Sequence, residues 1–343
     1  MARPLPHQRV KILLCKLKSF SYSSAMTKFL LSLAAFAFVA TSARADVAYE
    51  FAPNFITPPT GSETVGNGHG EIAVDSAGNI YLSVEGQKDG GLQVYGPDGK
   101  FLRYVAGAPG SLHGFCIKKD AEGEWIYAAV LGQSKVLKMK LDGTVVLTIE
   151  KDAFPADKNG SLALTNVTVA DNGDIYVVDG YGADWIFQFD KTGKIKKTFG
   201  GKGDPLKLSN CHKMFVDPRF TPQRLLLCDR GNNRLIHLDL DGNLIGVIVD
   251  KDLRRPSSAS FNGDLVCVAE IAGRVSVWDK EGKQVANLGV NDTPGQTNTP
   301  GVEPKDWRPG VVTSPHGITF DAKGNILECE WNQFGRVLRW NKK

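Results

Sequence analysis

Six histidines occur in the chain, and three of them, His113, His212 and His316, hold equivalent places in a repeated pattern. His212 and His316 each stand five residues before an aspartate, Asp217 and Asp321, as Gly70 and Asn166 stand before Asp75 and Asp171. His113-Gly114-Phe115 matches His316-Gly317-Ile318. Imidazole nitrogens are strong ligands for divalent cations, and three of them with an open fourth position are the ligand set of a catalytic zinc site. Polar plugs at the mouth of a channel are the alternative. His69 is one residue out of register, and a one-residue shift on a strand turns a side chain to the opposite face, so it is expected outside the trio. His237, within Leu235-Ile236-His237-Leu238, reads as structural, and His7 falls in the leader.

Two further groups carry chemistry. Tyr181 lies in Asp179-Gly180-Tyr181-Gly182, and Arg230 in Asp229-Arg230-Gly231-Asn232-Asn233-Arg234. A tyrosine beside a metal and a guanidinium is expected to have its pKa lowered and to act as a base. Arg230 is suited to hold a substrate carboxylate in bidentate fashion. Repeat scaffolding is the other explanation for both. Arg234, Arg274 and Arg336 share one frame position in three units and are expected to be structural.

The elements that must position these residues are short strands. Gly99, Gly143, Gly193, Gly242 and Gly282 each follow Asp, Thr or Glu and stand eight residues after the start of an apolar run. Such turns join antiparallel strands. A second set of turns, such as Asp75-Ser76-Ala77-Gly78-Asn79 and Asp321-Ala322-Lys323-Gly324-Asn325, precedes a second set of strands. The unit is four strands recurring six times, beginning near Gly70, His113, Asn166, His212, Ser257 and His316. Repetition at this period predicts an all-β, six-bladed β-propeller with four-stranded blades. Alternate blades of a six-fold ring lie roughly 120° apart, so histidines on blades 2, 4 and 6 converge near the axis. The sixth unit ends before its outer strand, and Val47–Phe51 is expected to supply it, which removes an open edge. Residues 54–66 and 291–313 read as long loops over one face.

The chain has 343 residues and a formal charge of +4, but residues 1–45 hold seven basic residues and no acidic one. The rest carries 34 basic against 37 acidic residues, a net of −3, which excludes a basic nucleic-acid binder as the default. Lys28, the apolar run Phe29–Ala40 and Ala43-Arg44-Ala45 form a signal-peptide pattern with Asp46 as the first mature residue. Residues 1–45 are therefore a leader, with Met26 the expected start. Residues 46–343 form one propeller domain, exported to a periplasmic or extracellular compartment with no membrane anchor after cleavage. Cys116, Cys211, Cys228, Cys267 and Cys329 are odd in number, sit mostly in apolar runs, and read as buried free thiols.

The stretch Asp229-Arg230-Gly231-Asn232-Asn233-Arg234-Leu235, with Asp241-Gly242 after it, resembles an NHL repeat. Residues 66–341 as a whole are similar to the NHL-type propeller of peptidyl-α-hydroxyglycine α-amidating lyase and its bacterial relatives. The resemblance implies a zinc held by His113, His212 and His316, a catalytic Tyr181 after an Asp-Gly pair, and an active-site Arg230. The implied chemistry splits a carbinolamide into an amide and glyoxylate. The chain departs from the family pattern in three places. Gly317 stands where a calcium-binding aspartate is expected, which puts calcium in doubt. Glu85 lies near the place of a missing blade 1 arginine, and Gly182 replaces a cysteine. The function expected is a lyase-like enzyme acting on a small-molecule or peptide substrate. The competing reading is a non-catalytic propeller that binds a protein or peptide on its loop face.

Overall fold

The structure of the protein, a computed structural model, describes residues 47–86 and 91–343. The leader and signal-peptide expectations lie outside the described residues. Alternating turns and short apolar runs fold as expected into six four-stranded antiparallel sheets. The innermost strands, in blade order, are Ile72–Val74, Leu112–Lys119, Asn166–Val169, Cys211–Asp217, Pro256–Asn262 and Pro315–Phe320. Helix is confined, among the described residues, to four single 3-10 turns. None is long and apolar enough to cross a membrane.

The strands are apolar on both faces because each blade is sandwiched between two others. Ile175-Tyr176-Val177-Val178 in blade 3 is buried throughout. Val177 packs with Tyr127 and Val136 of blade 2, while Tyr176 and Val178 pack with Leu225 and Leu227 of blade 4. Each of the six junctions between neighbouring blades holds one such cluster. Burial removes roughly 25 cal/mol per Å² of apolar surface from water on both sides of every sheet, so the ring is held together junction by junction. The outermost strands are half wet, as in Leu244–Val249.

Closure follows the expected route. Tyr49–Ala52 pairs antiparallel with Val337–Lys342 and completes blade 6, with Phe51 opposite Trp340. The turns also behave as their residues require. Gly143 has φ +100°, and a Cβ there would collide with the Ala106 carbonyl of the neighbouring blade. All five described cysteines are free, four of them buried.

Candidate metal centre

Three local irregularities aim the site. In blades 2, 4 and 6 the pairing of the innermost strand slips by one residue, between Leu112 and Gly114, Cys211 and Lys213, and Pro315 and Gly317. The extra residue in each β-bulge is the histidine. A bulge releases its residue from the alternation of the strand and re-aims the side chain, which here turns His113, His212 and His316 to a common point. Their ring centroids lie 4.7 to 5.0 Å apart, and all three are buried.

Each ring is then fixed by the next sheet. The Nδ1–H of His113 donates to the Thr165 carbonyl at 2.8 Å, that of His212 to Ser257 at 2.7 Å, and that of His316 to Gly70 at 2.7 Å. A carbonyl has no hydrogen to give, so Nδ1 carries the proton in all three and Nε2 keeps its lone pair. Burial, with the positive charges of Lys213 and Arg230 nearby, holds all three imidazoles well below the usual histidine pKa, hence neutral.

His69 corrects the sequence expectation, because it joins this cluster. Strand alternation does not govern it: blade 1 begins its first strand only at Ile72, and His69 precedes that strand in a segment bridged through Gly68 to Asn332. Its ring centroid is 4.9 Å from those of His113 and His316. Nitrogens of His69, His113 and His316 all lie within 4.8 Å of one another. Its Nδ1 is 2.9 Å from Glu85 Oε1, so that this nitrogen's hydrogen faces a carboxylate rather than a carbonyl.

Tyr181 reaches the centre from the turn after the second strand of blade 3. Asp179 accepts the Ala163 and Ala183 amides and shapes that turn. Side chains at Gly180 and Gly182 would collide with the Cys211 carbonyl and the Asp179 carboxylate, so the Gly-Tyr-Gly spacing is a packing requirement. The Tyr181 hydroxyl lies 3.1 Å from Nε2 of His113 and of His212, and 3.3 Å from Nε2 of His69. Nε2 of His316 is buried with no hydrogen-bond partner. The Nε2 lone pairs of His113, His212 and His316 thus face one another around a single tyrosine hydroxyl. A buried group of imidazole nitrogens this close together could hold a metal ion.

Arg230 lies beside Tyr181, its guanidinium carbon 5.3 Å from the ring centroid. Nε donates to Asn210 Oδ1 at 2.6 Å, while Nη1 is buried without a partner. Burial raises the Tyr181 pKa and the Arg230 charge only partly opposes it, so the lowering expected from the sequence is not achieved by the chain's own groups. Arg234 and Arg274 bind Asp229 and Glu270 of their own blades at 2.6 and 2.8 Å, and Arg336 lies 3.8 Å from Glu330. His237 is 2.9 Å from Asp217, within blade 4.

The sequence reading also passed over the ion pair between Lys213 and Glu71. Lys213 Nζ donates to Glu71 Oε2 at 3.0 Å and to the Gly70 and His316 carbonyls at 2.9 and 3.3 Å. Glu71 Oε1 accepts the Ile72 and Ile318 amides, and Ser258 donates to Oε2. The signal was there, since Lys213 directly follows one ligand candidate and Glu71 follows His69 by two. A Cβ on Gly317 would lie 2.6 Å from Glu71 Oε1 and 2.8 Å from Cys329 Sγ, and the Glu71 carboxylate is already neutralised by Lys213.

No protein-family model matches the chain, and no curated protein matches it. Solved structures do. A streptogramin B lyase is 15% identical with a TM-score of 0.56, over 87% of this chain and 98% of that one. Virginiamycin B lyase from Staphylococcus aureus is 16% identical with a TM-score of 0.53, over 84% of this chain and 88% of that one. A catalytically inactive histidine-to-alanine form of that lyase, solved with quinupristin, matches with a TM-score of 0.52 at 16% identity, over 85% of this chain and 88% of that one. A structural-genomics protein from Bacteroides thetaiotaomicron reaches a TM-score of 0.58 at 12% identity, over 87% of this chain and 76% of that one. At these identities the likeness is one of fold, and the chain is a six-bladed β-propeller with structural neighbours among the streptogramin lyases.

Proposed function

We propose that the chain is an exported, metal-dependent, lyase-like enzyme of the NHL-propeller type, working at the axial histidine cluster. The observation that carries this reading is the convergence of Nε2 lone pairs whose Nδ1 partners already fix the tautomer. His113, His212 and His316 would hold the metal, with zinc the first choice for nitrogen ligands. When bound, it would supply Lewis-acid polarisation of a substrate oxygen.

The chain's own groups do the rest. Tyr181 Oη, surrounded by imidazoles and beside Arg230, is placed to take a hydroxyl proton as the phenolate, a form that a bound cation together with Arg230 would favour against the burial that raises its pKa. Arg230 keeps a buried, unpaired N–H on Nη1, suited to an anionic group of the substrate. Following the amidating-lyase resemblance, a carbinolamide would lose its hydroxyl proton to the Tyr181 phenolate as the C–N bond breaks, and the nitrogen would take that proton back from the Tyr181 hydroxyl, which returns the phenolate. The products are an amide and glyoxylate. The lyases among the structural neighbours support the class and leave the substrate to be found by assay.

Two measurements test the reading. Metal analysis of the purified protein should find about one zinc per chain, lost when His113, His212 and His316 are all changed to Ala. An α-hydroxyglycine-terminated peptide given to the zinc-loaded protein should release glyoxylate above the uncatalysed rate. Zinc without glyoxylate points to another substrate, and neither one leaves a binding propeller with a peptide or protein partner on its loop face. Export is checked separately, by N-terminal sequencing that begins at Asp46.

A further inference from the structure

The four histidines are not equivalent. His113, His212 and His316 are 0–1% exposed, sit on bulged strands and give Nδ1–H to main-chain carbonyls of neighbouring sheets. Moving any of them would break a main-chain contact between blades. The His69 side chain is 19% exposed and its Nδ1 partner, the Glu85 carboxylate, is 29% exposed. His69 is preceded and followed by Gly68 and Gly70, and it lies ahead of the first strand of its blade. Glu85 in turn is 3.4 Å from the Asn67 amide. The His69 ring also packs against Trp331, centroids 5.6 Å apart. His69 can therefore leave the cluster by breaking side-chain contacts alone.

We propose that His69, braced by Glu85, is an exchangeable fourth ligand that closes the metal site at rest and gives up its position to an incoming ligand. The proposal rests on the metal-site reading above. A closed set of four protein ligands is the mark of a structural zinc site, whereas catalysis needs one open position. Three fixed imidazoles and one releasable imidazole meet both requirements. Glu85 acts here as a positioning residue, since a carboxylate on the distal nitrogen orients a ligating imidazole and raises its basicity.

The test uses the full-length protein loaded with cobalt(II), whose visible spectrum reports ligand number, and azide as the incoming ligand. His69→Ala should shift the spectrum, weaken metal binding by about 10–100-fold and bind azide at least about tenfold more tightly than the parent. Glu85→Ala should weaken metal binding in the same direction, and Glu85→Gln, which keeps an oxygen acceptor for Nδ1–H, should restore most of the loss. An unchanged spectrum and metal affinity in His69→Ala would overturn the ligand assignment while leaving the three-histidine site standing. Equal azide affinity in parent and variant would overturn the exchange. A parent protein that takes up no cobalt at all would instead defeat the metal-site reading itself.

Discussion

Lys213 Nζ and Glu71 Oε2 lie 3.0 Å apart, both side chains buried and each contacting the main chain that carries a histidine of the cluster. Lys213 donates to the carbonyl of His316 itself and to the Gly70 carbonyl that also receives the His316 Nδ1–H. The pair thus ties blades 4, 1 and 6 together at the axis.

Removing one partner would strand the other's charge in the interior. Lys213→Met should cost about 3–5 kcal/mol of unfolding free energy, read from urea denaturation. Adding Glu71→Gln should recover much of that loss, because the uncompensated carboxylate is gone. Additive losses in the double variant would show that the two do not act as a pair.

Acid should weaken the metal-free protein through the histidines. Burial depresses the pKa of His113, His212 and His316 in the folded state, whereas the unfolded chain titrates near 6.5. Below about pH 6.5 the unfolded state therefore binds more protons, and stability falls as pH falls. The slope should approach about 1.4 kcal/mol per pH unit for each buried histidine. Unfolding free energies of chelator-treated protein between pH 7 and pH 5 should show it, and a variant with all three histidines changed to Ala should be markedly flatter.

Tyr181→Phe removes the hydroxyl that touches the imidazole nitrogens of His113, His212 and His69. Turnover in the glyoxylate assay should drop by roughly 10²–10⁴-fold, the usual share of general acid–base catalysis, with zinc content unchanged. Retained turnover would take the proton-transfer role away from Tyr181.

Ring closure depends on the packing of Tyr49–Ala52 against Val337–Lys342. Trp340 is buried and its ring centroid is 6.3 Å from that of Phe51. Trp340→Ala should cost about 3–5 kcal/mol, and loss of residues 47–52 should expose a strand edge and promote aggregation. Light scattering and thermal unfolding of the two forms check this.

What the sequence by itself determined is the repeat. Turn glycines such as Gly143 and Gly242, the apolar strand runs, and the register of His113, His212 and His316 are local chemistry, so six blades, the closing strand and the trio could be read from them. The tertiary structure decided what local spacing does not carry. His69 enters the cluster because its segment runs ahead of the blade 1 strand, where the two-residue alternation has not yet begun. Glu85, 16 residues on, meets it across the first hairpin of blade 1, and Trp331, 262 residues on, meets it only when the ring closes. The bulges that aim the trio arise from pairing between strands, which no single strand reveals. The Tyr181 hydroxyl likewise stays protonated in the chain alone because burial outweighs its arginine, a balance set by desolvation in the assembled ring.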